Sequence, residues 1–555
     1  MAKHWRSNSR LLVLLLIVSM VMVACVAPAA PAPATGAKPE ATKAPAAAAA
    51  PNGDVSRQDT LIFASDTTDL ISLDPAVAYE FSGIQAEGSI YETLVSLEPG
   101  QPGVKPLLAE KWDVKDNGDK WTITFHLNAK ATFADGKPVT ADDVVYSWSR
   151  SLDLNKSPAF LLKDIVQVTK ESMKAVDPQT FEVSFPKTIG PQLFLSVISS
   201  TVAAVVEKAV VDANKGDDMG STWLNDHSAG SGAYMLNKWE REVAITLDAN
   251  PKYWGTAPKI KRVLMQNMKE AANRQAAIET GDADIVQDLG PEQKKALDGN
   301  ADVKLVTANN TQLIYLGLNA KKPPLDNPDV REAIRYAINY DEIIALTAGD
   351  AKLVQEVIPD GFLGHTGQNP FKQDIAKAKE LLAKAGVKEG TEIEALVPSN
   401  FPAGPIDFPT LAAKVQSDLE KAGLKLNLKQ LQVSELLKQY RAQEAQFTFI
   451  LWGPDYPDPD ANARPFSDYA IKSIAYRNGW ENKDIPALAQ KGAAAVTDEE
   501  RVKTYAEFTE RMLHEGPYAV LYQPLRTYAL RSNIDGFIFD PADTPSITFA
   551  LISKK

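Results

Sequence analysis

Cysteine is almost absent from this chain of 555 residues, which has one, Cys25, beside only five histidines. A lone cysteine excludes an internal disulfide and a thiolate metal site, so stability must come from packing. Beyond the first residues the histidines are His126, His227, His365 and His514, and no two are spaced to ligate a metal from one helix. Neither a G-x-S-x-G elbow nor a G-x-x-x-x-G-K-S/T phosphate loop occurs, so the usual serine-hydrolase and nucleotide-binding signatures are missing too. We therefore expect no enzyme, no cofactor and no resident metal. Positive charge is also in deficit: the formal net charge is −12 and no basic stretch offsets it, which argues against nucleic acid as a partner.

Long hydrophobic runs are missing except at the start, where Lys3, Arg6 and Arg10 precede an apolar run from Leu11 to Ala24 that ends at Cys25. Those 14 residues fall short of the roughly 20 that span a bilayer, and the layout is that of a signal peptide. It resembles the bacterial lipoprotein signal, with cleavage before Cys25 and acylation of its sulfur; Met22 stands where that pattern usually has leucine. Removing residues 1–24 takes away three basic groups and no acidic one, so −12 becomes −15. The Ala/Pro-rich segment 25–56 is too poor in large apolar groups to offset the entropy of ordering and is expected to act as a disordered tether.

The whole chain has 45% hydrophobic and 23% charged residues, as in an ordinary water-soluble fold, and its length calls for two or more subdomains and permits a large cleft. Thr60–Ser65 and Lys120–Asn128 read as strands, the second alternating Trp121, Ile123, Phe125 and Leu127 with polar neighbours. Trp121 and Trp148 are expected in the core. Thr140 and Thr497 start capping patterns, the second for a helix carrying Val502, Tyr505, Phe508 and Met512 on its buried face. Asn327-Pro328 opens a helix running through Ile344. Helical patterns also stop at Gly386 and Gly423, and the strands "KLNLKQL" and "QFTFILW" follow before the helix from Thr497. Strands alternating with helices imply an α/β body.

Several long blocks then resemble the bacterial extracellular solute-binding proteins of family 5. They are "SLDPA" from Ser72, "IYETLV" from Ile90, "LAEKWDVKDNGDKWTITFHLNAKATFADGKPVTADDVVYSWSR" from Leu108, "GSGAYMLNKW" from Gly230, "NPKYWG" from Asn250, "AIETGDADI" from Ala277, and "LGLNAKKPPLDNPDVREAIRYAINYDEII" from Leu316. The acidic stretch "WGPDYPDP" from Trp452 belongs with them. Most of these residues have plain structural work to do as turns and core aromatics. The resemblance implies a two-lobed, periplasmic-binding-protein-like α/β fold, type II and large, with an extra subdomain, around a ligand cleft. Carried onto this chain, lobe one takes 57–100, 230–312 and 523–555, the extra subdomain of lobe one 101–229, and lobe two 313–522, after a signal over 1–24 and the tether over 25–56.

The implied function is capture of a peptide, or another small solute, for an ABC permease, by a monomer held extracytoplasmically through lipid on Cys25, in the periplasmic space or on the outer face of the cytoplasmic membrane. In peptide-binding members the Asp of the acidic motif holds the ligand's α-amino group, and that position here is Asp455. Trp452 and Tyr456 would be walls. Ser65, Asp66, Tyr79, Phe81, the loop from Asn400, and Trp480 follow from position in the family cleft, though Trp480 reads equally well as core. Asp458 and Asp460 follow prolines and are expected to face solvent or cap the next turn. Asp458-x-Asp460-x-Asn462 copies the first ligands of a calcium loop, but Ala463 and Tyr469 stand where that loop needs glycine and glutamate. Family members also take oligosaccharides, nickel chelates, haem and opines, and a surface chaperone-like lipoprotein stays open as a different class.

Overall fold

The structure is a computed structural model and describes residues 55–97, 103–399, 401, 404–539 and 547–555. The signal segment, Cys25, most of the tether and Asn400 lie outside the described residues. Residues 48–555 form one compact unit.

An α/β body is built on a sheet of 12 strands. Its path runs from Leu424–Gln432 through Thr391–Ser399, Phe447–Trp452, Leu313–Leu318 and Tyr518–Arg531, then Ile285–Gln287, Thr60–Ser65, Arg262–Asn267, Ala244–Ala249 and Tyr234–Glu240. One strand, Tyr518–Arg531, belongs to both halves of that path. Its first part pairs with Leu313–Leu318, and its second part with Val303–Asn309 and Ile285–Gln287. Between them Gln523 and Pro524 pair with Lys352 and Ala351.

Each half has its own apolar layer. On one side Ile314, Leu316, Phe447 and Phe449 pack under the helices Pro328–Ala337, Ile375–Lys384 and Phe408–Ala422, which contribute Val330, Ile334, Leu381, Leu411, Val415 and Leu419. On the other, Leu61, Phe63, Val263 and Met265 meet Ile90, Leu247 and Phe549. A separate four-stranded sheet, ordered Ala109–Asp116, Lys120–Leu127, Thr180–Pro186 and Met173–Asp177, carries a third core around Phe125, Trp148 and Phe181.

Local signals place most helix ends. Thr140 and Asp143 form a reciprocal capping box at the start of Ala141–Leu154. The Asn327 side chain accepts from the Asp329 amide, with Pro328 at the first helical position. Gly423 closes its helix at φ +92°, a conformation glycine adopts without steric cost.

Three expectations change. The helix from Pro328 does not run through Ile344; it stops at Ala337 and restarts as Tyr340–Leu346. Asn339 sits in the break, where its amide donates to the buried Asp418 and its side chain caps the second helix through the Glu342 amide. In the helix Asp498–Glu515 the residues Tyr505, Phe508 and Met512 are buried, but Val502 is 41% exposed. Arg501 turns inward in its place. Trp148 is core, whereas Trp121 is half-buried under the Lys187 ammonium.

Candidate ligand-binding site

The strand Phe447–Trp452 is apolar and buried because it lies between Thr391–Ser399 and Leu313–Leu318. At its carboxyl end the chain must leave the sheet, and Gly453-Pro454 makes that exit. The next five residues are held from several sides. The Ser196 hydroxyl donates to the Pro457 carbonyl at 2.8 Å, and the Trp452 indole N–H donates to the Ala461 carbonyl at 3.1 Å. Asp458 accepts the Asp460 amide at the start of the helix Asp460–Ser467.

A cavity that opens to solvent lies against this loop. Gly453 to Pro457 form one wall, together with Asn310, Gln312 and Phe362. Phe63, Ser65, Phe81, Gln85, Gln287, Arg526 and Tyr528 form the other. The carboxyl ends of Thr60–Ser65, Ile285–Gln287 and Phe447–Trp452 all point at it, the place where α/β sheets present ligand crevices.

Asp455 is the notable group in that wall. Its Oδ1 accepts a short hydrogen bond from the Tyr79 hydroxyl, a residue 376 positions earlier in the chain. Among the described residues no Lys, Arg or His nitrogen lies within 4 Å of its carboxyl. Burial raises its pKa above the ordinary carboxylate value, while the Tyr79 hydrogen bond and the more distant charge of Arg477 pull it back down. Burial also raises the Tyr79 phenol, reinforced by the Asp455 charge. An ionised carboxylate enclosed without a cation is unfavourable, so this site gains from an incoming positive group.

The neighbouring acids correct the expectation that they face solvent. Asp458 is 1% and Asp460 0% exposed. Asp458 Oδ2 is 2.6 Å from Arg501 Nη2, and Asp460 Oδ2 is 2.8 Å from Arg464 Nη2. Asp460 also accepts from the Tyr456 hydroxyl at 2.7 Å, and the Asn462 amide donates to the Val357 carbonyl. The two aspartates that mimic a calcium loop are thus held by guanidinium partners, while Asn462 uses only its amide N–H and keeps a buried side-chain oxygen with no partner. Asp458 keeps the capping role expected of it, but from inside the core.

The other predicted positions divide. Ser65, Phe81 and Tyr456 line the cavity; Phe81 heads the helix Phe81–Ile90 and is 65% exposed. Tyr79 reaches the site through Asp455. Asp66 turns away, its Oδ1 accepting from the Thr68 amide and hydroxyl in a local turn. Trp452 packs edge-on against Phe466, and Trp480 is buried against Tyr518, so both serve packing and do not line the cavity. Asn400 is outside the described residues. Reasoning from sequence missed Gln85, Gln287, Gln312, Phe362 and Arg526. Of these only Arg526 carried a signal, as a charge well inside a mostly apolar strand.

With this geometry in hand, comparison with known proteins identifies the chain's relatives. The profile of the family described as "Bacterial extracellular solute-binding proteins, family 5 Middle" matches residues 103–473. The "Probable D,D-dipeptide-binding periplasmic protein DdpA" of Escherichia coli (strain K12) is 28% identical over 478 residues, covering 85% of this chain and 90% of that protein. "Heme-binding protein A" of Haemophilus influenzae is 24% identical over 495 residues, covering 85% and 88%. Among solved structures, HbpA2 from Haemophilus parasuis superposes with a TM-score of 0.80 at 24% identity, over 89% of this chain and all (100%) of that one. DppA from Helicobacter pylori in complex with the peptide STSA superposes at 0.72 and 24%, over 89% and 98%. These superpositions place the two-lobed periplasmic-binding-protein fold. The chain belongs to the bacterial extracellular solute-binding proteins of family 5.

Proposed function

We propose that this family 5 solute-binding protein captures peptides by pairing their free α-ammonium group with Asp455, and hands them to an ABC permease. The observation that carries the proposal is a half-buried carboxyl in a cavity wall with a tyrosine hydroxyl as its hydrogen-bond donor and no cation within 4 Å among the described residues. A peptide ammonium supplies the missing charge, main-chain groups of the walls can pair with the peptide backbone, and the aromatic rings of Phe81 and Tyr456 accept side chains with little discrimination. Relatives named for dipeptides, and a relative solved with STSA, support a peptide ligand of dipeptide or oligopeptide length. An oligosaccharide carries no cation to meet Asp455 and fits this wall less well.

Capture would proceed by closure of two lobes, divided as 57–100, 230–312 and 523–555 with the subdomain 101–229, against 313–522. The passage of Tyr518–Arg531 from one half of the sheet to the other supports a crossing near Gln523. The Tyr79–Asp455 hydrogen bond would then be a contact between lobes that favours the closed form. The lipid anchor on Cys25 and the extracytoplasmic position rest on the signal pattern alone; among the described residues no helix is long and apolar enough to cross a membrane.

Calorimetry tests the amine anchor directly. A free peptide should bind at least about 30-fold tighter than its N-acetylated form, the lower end of what losing a buried charge partner costs. Equal affinities would remove Asp455 from this role.

A further inference from the structure

The subdomain 101–229 meets its two neighbours in different ways. Toward lobe one its helix Ala141–Leu154 carries Arg150, whose guanidinium donates to the two oxygens of Asp74 at 2.7 and 2.8 Å, with both side chains fully enclosed. Parting such a pair would strand two buried charges. Toward 313–522 no ion pair is made among the described residues, and the joint consists of neutral groups. The Ser196 hydroxyl donates to the Pro457 carbonyl at 2.8 Å, and the Gly190 amide donates to the Ala493 carbonyl at 2.7 Å. Tyr456, Ala461 and Ala493 add a small apolar contact with the subdomain core around Phe185, Leu193 and Val197.

Gly190 is the tight point of that joint. Its backbone, at φ −72° and ψ 152°, is one that any residue adopts, so conformational freedom does not call for glycine here. Space does. A β-carbon would lie 2.5 Å from the Ala495 carbonyl oxygen and 2.8 Å from that of Ala493. Gly190 caps the start of the helix Pro191–Ile198, and Ala493 lies in the last turn of Ile485–Ala494. Each helix leaves those end groups unpaired, so they satisfy one another when together and bond to water when apart. The joint can therefore open without stranding a charge, as the Arg150–Asp74 pair cannot. On the far side Arg501 ties its two contact points together, with Nε 3.4 Å from the Gly492 carbonyl and Nη2 2.6 Å from Asp458. One of those points is the acidic loop, two residues past Asp455.

We propose that the helix Pro191–Ile198 is a closure latch, which seats on Ala493 and Pro457 when the lobes shut and parts from them when they open. While seated it holds the acidic loop over the ligand. Gly190 and Ser196 are positioning residues, acting on the ligand only through that loop. The proposal rests on the lobe closure proposed above and makes the subdomain a party to it.

Hydrogen exchange on the full chain tests first whether the contact is reversible, and needs no ligand. In the free protein the Gly190 amide should be protected at least about 10-fold less than amides inside the same helix, as expected of a local opening. Calorimetry and small-angle scattering with a mixed-sequence library of free-amine peptides then compare wild type with Gly190→Ala and Ser196→Ala. Forcing a methyl against two backbone carbonyls disfavours the closed form and should weaken binding on the order of 10-fold or more. Ser196→Ala removes one neutral hydrogen bond and fills no space, and should cost about 3- to 10-fold. Both variants should unfold within a few degrees of wild type when free, since the open form lacks the contact. A Gly190 amide as protected in the free protein as the helix interior, or a free Gly190→Ala protein that unfolds well below wild type, makes the contact a fixed part of the fold and overturns the latch. Variants that bind as tightly as wild type overturn it as well. Wild-type dimensions unchanged at saturation overturn lobe closure, the premise. A library that wild type does not bind overturns the peptide reading, and the latch is then judged on Gly190 exchange and free-protein unfolding alone.

Discussion

Asp455 and the pair Asp458–Asp460 sit within six residues of each other on one proline-stiffened loop, yet they are used in opposite ways. At the core-facing end each carboxylate has a guanidinium at 2.6 or 2.8 Å, from Arg501 or Arg464, and a further hydrogen bond that closes the loop onto its helix. At the cavity-facing end Asp455 has a tyrosine hydroxyl and, among the described residues, no cation within 4 Å. A buried carboxylate needs a partner wherever it is. What differs is whether that partner is part of the fold. Where the chain supplies it the acid is structural, and where no cation stands close by the acid is open to the ligand role proposed for Asp455.

The largest effect should come from making a structural acid resemble the functional one. Arg501→Met would leave Asp458 buried and unpaired, a change that costs about 3–5 kcal/mol in such pairs. Urea or thermal unfolding should show it, and adding Asp458→Asn should recover much of the loss; a single variant as stable as wild type would erase the distinction between the two ends.

Next in size is the converse experiment. Asp455→Asn should weaken binding of a free-amine peptide by about 2–5 kcal/mol with no loss of stability, since no cation within the fold is orphaned. A variant that loses stability as Arg501→Met does would assign Asp455 to the fold.

A smaller change is expected at Tyr79. Tyr79→Phe removes a hydrogen bond worth about 1 kcal/mol that lowers the Asp455 pKa. Peptide affinity measured against pH should then fall off at higher pH on the acid side than in wild type, because Asp455 protonates sooner. An unmoved acid limb would show that the hydroxyl does not act on Asp455.

The smallest effect is on stability against pH. The raised folded-state pKa of Asp455 means the native protein holds that proton more tightly than the unfolded chain. Its contribution is therefore most favourable below the ordinary carboxylate pKa and is lost as pH rises through the raised value. Asp455→Asn should remove that decline. An unchanged ΔG-versus-pH slope between the two proteins would locate the proton elsewhere.

Patterns confined to a few residues were legible from sequence. The strand Lys120–Leu127 has the alternation expected of it, and the caps at Thr140, Asn327 and Thr497 are made by the side chains that announce them. Legibility failed where a distant partner overrode the local pattern. The helix break at Asn339 depends on Asp418, 79 positions away. Val502 yields the inner face to Arg501 because Asp458, 43 positions earlier, needs a cation. Trp452 carries the composition of a binding wall but packs edge-on against Phe466, 14 positions later, while Trp480, which reads equally well as core, is buried against Tyr518.

The sequence by itself determined an α/β body of family 5 type, the placement of its helix ends, stability without disulfides, and Asp455 as the acid to watch, because period, capping and family motif are written in neighbouring residues. Only the tertiary structure decided that Asp458 and Asp460 are spent on arginines, that Tyr79 reaches Asp455, and that Arg526 lines the same cavity. Those are matters of enclosure. Desolvation and charge pairing depend on which groups the fold brings within a few ångströms, and groups hundreds of residues apart can meet there.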